Sequence, residues 1–193
     1  VADGEGGVMD LAVMPGGMFL ATLDFWNLSV INLANGEHIR YEEHLDDVDV
    51  DQDGVDPTAG FSPDGRYLTF AADRMLGVWE MAGFLERGRS PEYNDPNGGW
   101  TRGPYPGLRK YQQPKRILAH SFTTDSRFLV TVNGDNQLRL LSPETGELAR
   151  TIPLSIRKAR RLVLLPDGKS FVAGANNGAL ELGSLEMTEG ERA

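Results

Sequence analysis

A repeated turn-and-strand frame constrains this chain more than any other feature. Its clearest copy covers residues 59–80, AGFSPDGRYLTFAADRMLGVWE. Pro63-Asp64-Gly65 is a turn signal with a mechanism. Proline pre-sets one backbone torsion, aspartate bonds back to its own main chain, and glycine accepts positive φ. The chain then runs apolar through Tyr67, Leu68 and Phe70, and a polar break at Asp73-Arg74 precedes Leu76 to Trp79. The frame recurs as VMPGGMFLATLDFWNLSVINL from Val13, FTTDSRFLVTVNGDNQLRLLS from Phe122 and LLPDGKSFVAGANNGALELGS from Leu164.

The copies predict short strands. The first repeat places them over residues 9–13, 18–22, 28–33 and 38–43, with Pro15-Gly16-Gly17 and Ala34-Asn35-Gly36 as turns. The second has them over 58–62, 67–71 and 76–81. Its fourth strand is expected near 115–118 or just before, or is missing, because residues 83–114 interrupt the pattern. The third repeat reads 119–123, 128–133, 137–141 and 147–153. The fourth reads 161–165, 171–175 and 179–185, with no outer strand. Helix has little place, since no segment of ten or more residues keeps a helical apolar period without Gly or Pro. Four antiparallel strands in about 40 residues match one blade of a β-propeller. By alignment Val13, Phe61, Phe122 and Leu164 are equivalent, and all four are expected between neighbouring blades.

The repeat resembles the WD-repeat and TolB-like propeller families over nearly the whole chain. FSPDGRYLTFAAD and LGVWE carry the resemblance most strongly, with Trp79-Glu80 where the WD family has Trp-Asp. Asp73 and Asp135 stand at the tight turn of two repeats, where the fourth has Asn176-Asn177. No repeat has the Gly-His pair, and one alone has the Trp. The resemblance implies an all-β fold of β-propeller blades, each a four-stranded antiparallel sheet, in four repeats. The expected organisation is one propeller over residues 1–193, with blades at 8–45, 57–118 (insertion 83–114), 119–154 and 159–187. A propeller must close to leave no unpaired edge. Four blades as part of a larger or partner-completed ring are favoured over a compact four-bladed ring and over two copies that make a larger one.

With 40% hydrophobic and 24% charged residues the composition is that of a soluble globular protein. No apolar run reaches the ~18 residues of a membrane span, and no signal peptide is evident. A first residue other than Met leaves room for a removed leader, so compartment stays open between cytoplasm and periplasm or exterior. The absence of cysteine excludes disulfides and thiol nucleophiles. A net charge of −9 argues against nucleic acid, which needs a basic face. The charge is uneven. Residues 1–57 hold thirteen acids against Arg40, whereas residues 84–116 hold seven Lys and Arg against three acids.

Two segments are candidate sites. Asp49-Val50-Asp51-Gln52-Asp53-Gly54 has the D-x-D-x-D-G form of a calcium loop, in which alternate carboxylates face one hard cation and Gly allows the sharp turn. Asp49, Asp51 and Asp53 would be ligands, with Asp56 one residue short of a ninth-position acid. Gly60 stands where an EF-hand wants Glu, so a solvated acidic loop is the competing reading. The 83–114 insertion is the second. Arg89, Tyr93, Trp100, Arg102, Tyr105, Arg109 and Tyr111 give it the aromatic and arginine composition of interaction hot spots. Packing of those aromatics back onto the fold is the competing reading. Arg157, Lys158, Arg160 and Arg161 form a basic run read as a salt-bridged surface.

No catalytic set stands out. His38 and His44 fit no common metal spacing, and His120 falls within a strand. There is no G-x-S-x-G elbow and no phosphate loop. The expected function is a non-enzymatic scaffold that binds a protein partner or further copies of itself through loops and the insertion. An accessory propeller domain of a larger enzyme, or a calcium-binding envelope or filament protein, is the alternative.

Overall fold

The computed structural model describes residues 7–24, 27–42, 57–88 and 107–186. Within them the protein is all-β, with four antiparallel sheets and one short helix. The first sheet joins β1 (Asp10–Val13), β2 (Phe19–Leu23), β3 (Asn27–Asn32) and β4 (His38–Glu42) in chain order. The second joins β5 (Thr58–Phe61), β6 (Tyr67–Ala72) and β7 (Met75–Glu80), then, after helix α1 (Met81–Gly88), β8 (Leu108–Gln112). The third holds β9 (Ile117–Phe122), β10 (Leu129–Asn133), β11 (Gln137–Leu141) and β12 (Leu148–Pro153). The fourth has three strands, β13 (Ala159–Leu164), β14 (Ser170–Ala175) and β15 (Leu180–Ser184). The chain divides into two compact units, Val1–Pro114 and Lys115–Ala193. No helix among the described residues is long and apolar enough to cross a membrane.

The four sheets share one register. Pro15, Pro63, Thr124 and Pro166 each lie in the turn between the first and second strands of their sheet. The residues flanking the turns pair as Val13 with Leu20, Phe61 with Leu68, Phe122 with Leu129 and Leu164 with Phe171. The turn chemistry explains this regularity. In the second sheet the Ser62 hydroxyl donates to Asp64 Oδ1 (2.5 Å) and accepts from the Tyr67 N–H (2.9 Å). Asp64 also accepts from the Arg66 N–H at 3.0 Å. Thr123 and Asp125 repeat all three bonds in the third sheet, at 2.6, 3.0 and 3.1 Å. The fourth sheet has Leu165 in place of the hydroxyl, and Asp167 accepts directly from the N–H groups of Lys169 and Ser170, both at 2.9 Å. In every copy the last turn residue takes the left-handed conformation, with φ near 70° at Gly17, Gly65 and Gly168 and 60° at Ser126.

Side chains alternate across each sheet, so every sheet has two faces. The residues paired across the turn (Leu20, Leu68, Leu129 and Phe171) mark the back face; the next residue in each strand marks the front. In the first unit Ala21, Leu23 and Val30 on the front of the first sheet share one core with Leu68, Phe70 and Trp79 on the back of the second. In the second unit Val130, Leu138 and Leu140 on the front of the third share a core with Phe171 and Ala173 on the back of the fourth. One rule therefore operates twice: front onto the back of the next. First strands lie side by side in both cases, β1 beside β5 and β9 beside β13. Asp10 Oδ2 accepts from the Ala59 N–H at 2.8 Å across the first of these contacts.

Close approach sets the residue types. Phe70 lies over Gly77, its ladder partner, and Phe171 lies over Gly183 in the same way. A Cβ at either glycine would enter the ring. Neighbouring turns also stack: a Cβ on Gly65 would sit 2.7 Å from Met14 Cε, and one on Gly168 would sit 2.7 Å from Thr124 Oγ1.

Two sequence expectations need revision, and a third is met in one of its stated forms. Val13 is 61% exposed, while Phe122 is buried and Phe61 and Leu164 are half-buried. Val13 lies on the back of the first sheet, the face turned away from the second, so its equivalence in the ladder does not bring equal burial. Residues 81–88 are helical where no helix was expected. Met81, Phe84 and Leu85 stand at i, i+3 and i+4, enough to seat two turns on the first core despite Gly83. The fourth strand of the second sheet is β8, just before residue 115 and inside the segment set aside as an insertion. LRKYQ has little apolar alternation, and its ladder with β7 holds it in place.

Three carboxylates in these hairpins are held below the usual aspartate range. The Thr123 hydroxyl does this for Asp125, the Arg139 hydrogen bonds (2.6 and 3.0 Å) for Asp135, and the Lys169 N–H for Asp167. A depressed folded pKa favours the anion in the fold, so its stabilisation is complete at neutral pH. It fades as pH falls below about 4 and is gone once the folded-state pKa is passed. The urea midpoint should therefore fall between pH 5 and pH 3 (an interval set by the ~3.9 reference value), and Asp135→Asn should flatten that fall. A variant with the full wild-type acid dependence would contradict this role for the Asp135–Arg139 pair.

Candidate functional site

The site that can be built from described residues is the outer edge of the second sheet, where α1 and β8 flank residues 89–106. The helix begins where β7 ends. The Met81 N–H donates to the Arg66 carbonyl at 2.8 Å, and Met81 and Phe84 are buried in the first core. Trp79 is the anchor. Its ring lies 5.3 Å from Phe70, tilted by 36°, and 5.8 Å from Phe84 in an edge-on contact. The chain returns as β8 with Leu108 opposite Trp79, so it leaves and re-enters at the same end of the sheet. The flanking elements α1 and β8 are thus both held against β7.

On β8 alternate residues take opposite faces. Leu108 packs against the first core, and Lys110 and Gln112 on its side are exposed. Arg109 and Tyr111 occupy the other face, half-buried opposite Val78 and Leu76. Arg109 Nη1 is buried and has no hydrogen-bond acceptor among the described residues. A guanidinium N–H withdrawn from water without an acceptor costs free energy that an incoming carboxylate would recover. Desolvation also lowers the Lys110 pKa below the usual lysine value. The edge of the sheet therefore carries two cations and an aromatic side chain, suited to an acidic surface.

Of the sequence-predicted partner residues, Arg109 and Tyr111 come together on this strand. Arg89, Tyr93, Trp100, Arg102 and Tyr105 lie outside the described residues, as do Asp49, Asp51, Asp53 and Asp56 of the acidic loop and His44. No group of three His, Asp or Glu among the described residues is arranged to hold a metal ion. His120 is half-buried in β9 opposite Thr131, and His38 is exposed at the start of β4.

Other residues that tie sheets together were not apparent from sequence. Glu181 accepts from the N–H groups of Ser155 (2.8 Å) and Ile156 (3.1 Å), fixing the link between the third and fourth sheets. Arg150 Nη1 donates to the carbonyls of Leu185 and Glu186 at 2.7 and 2.5 Å. An isolated charge in an exposed-looking strand gives no sign of such a role. The sequence matches no protein-family model, and no curated protein matches it either.

If α1 is seated by its aromatic contact, Phe84→Ala should lower stability by about 3 kcal/mol, the small end of the range for buried Phe truncation. Chemical denaturation measures this directly. An unchanged midpoint would mean that the helix is not part of the core.

Proposed function

We propose that the four sheets are blades of a divergent β-propeller and that the protein is a non-enzymatic scaffold. In this reading it recognises an acidic protein surface through residues 89–106 and the edge strand β8. The fold part of the proposal is supported by the common register, the side-by-side first strands and the front-to-back packing repeated in both units. The observation that carries the functional part is Arg109, whose partly buried guanidinium has an N–H without an acceptor among the described residues, next to Lys110 and Tyr111 on an edge strand. Arginine and tyrosine anchor interfaces because each buries a large area while keeping a polar handle. An edge strand adds main-chain donors and acceptors that a partner can use.

The test replaces residues 90–105 by a short Gly-Ser linker, leaving α1 and β8 intact, and compares it with Arg109→Glu. Both proteins should keep the β-sheet circular dichroism signal. Affinity capture from cells that express the protein should recover a partner with the native chain and lose it with both variants. A single interface truncation of this type costs ~2 kcal/mol or more at a hot spot, a loss of at least tenfold. Capture unchanged in both variants would refute the reading. Collapse of the β signal in the shortened protein would place residues 89–106 in the fold rather than in recognition.

A further inference from the structure

Among the described residues nothing covers the front face of the fourth sheet, and that face is built like one that is covered. Val163, Val172 and Leu182 lie side by side across β13, β14 and β15, with Leu180 next to them opposite Gly174. The pairing makes Val172, Leu180 and Leu182 the equivalents of Val130, Leu138 and Leu140 in the third sheet. Those three are at most 6% exposed, packed with Phe171 and Ala173 on the back of the fourth sheet. Leu180 and Leu182 are 73% and 71% exposed.

The first sheet shows the converse. Leu11 and Val13, both more than half exposed, lie on its back with half-buried Leu20 and Ile31. Their equivalents by register are Ala59, Phe61, Leu68 and Trp79, all part of the first core. Among the described residues the fourth sheet thus has an exposed apolar front and the first sheet an exposed apolar back. Twice within the molecule a front of this pattern is seen to take a back of this pattern.

We infer that the front of the fourth sheet takes the back of the first sheet of a second copy. Such an interface is heterologous, joining two different surfaces of the same protein head to tail. Contiguous exposed apolar patches of this kind mark interaction sites in soluble proteins. Exposed Arg161 lies on the front of the fourth sheet, and the stretch of sequence that holds the first sheet, residues 1–57, carries thirteen acids against Arg40. This goes beyond the scaffold reading, because the surfaces involved exclude β8 and the 89–106 segment.

Sedimentation analysis of the full chain and two surface variants tests the inference. Leu182→Glu alters the front of the fourth sheet and Val13→Lys the back of the first; both side chains are exposed, so both variants should fold. The native chain should associate with rising concentration, and each variant alone should weaken association at least tenfold. An equimolar mixture of the two should recover it, because the mixture holds one unaltered front facing one unaltered back. A native chain that stays a single copy across the micromolar range would overturn the inference, as would association untouched by either variant. Failure of the mixture to recover association would overturn the head-to-tail pairing itself.

Discussion

The structure depends on sheets that are apolar on both faces. A strand such as YLTFAA buries every one of its six residues, and a sheet of such strands needs a neighbour rather than water. The molecule meets that need by placing front on back, once in each unit, with aliphatic side chains of one sheet against aromatic ones of the next. Glycine makes the fit possible, since Phe70 and Phe171 each occupy the space that a side chain at Gly77 or Gly183 would fill. Position in the ladder thus determines residue type more strictly than strand propensity does.

Turn chemistry keeps the register, and register keeps the packing. A one-residue slip would exchange the two faces of a strand. The Ser62–Asp64 and Thr123–Asp125 networks fix the first hairpin of their sheets by satisfying N–H groups from the carboxylate side chain. Arg66 and Arg127, the residues after these turns, lie over the rings of Tyr67 and Phe128 at 4.9 and 5.6 Å. With hairpins fixed in this way, variation can be carried at the edges. Helix α1 and strand β8 lie at such an edge, with Arg109 and Lys110 on opposite faces of β8.

Much of the fold was legible because its signals are local. Pro-Asp-Gly and its relatives mark turns, and period-two apolar runs mark strands, so the strands of the third sheet were placed to within two residues. What depends on neighbours was not legible. Val13 aligns with Phe122 yet is exposed, because burial belongs to the face of a sheet and to what covers it. Helix α1 is too short to show a sustained period, and β8 is held by its ladder with β7 rather than by its own apolar residues. At the candidate site Arg109 and Tyr111 could be singled out by composition, but the buried Nη1 of Arg109 could not. The sequence does not mark Asp10 or Glu181 either, since the N–H donors that each carboxylate accepts from lie 49 and 25 to 26 residues away.

The stacking of one sheet on the next is the claim on which the rest stands, and it can be trapped covalently. The native chain has no cysteine, so a pair introduced by Thr124→Cys and Gly168→Cys has no competitor. Thr124 Oγ1 lies 2.7 Å from where a Cβ on Gly168 would be, which keeps the two Cβ atoms under the ~4.5 Å upper limit of a disulfide. Mild oxidation of the dilute double variant should form an intramolecular bond and leave no free thiol. Two thiols that stay free in the folded protein, each open to alkylation, would contradict the front-to-back arrangement of the third and fourth sheets.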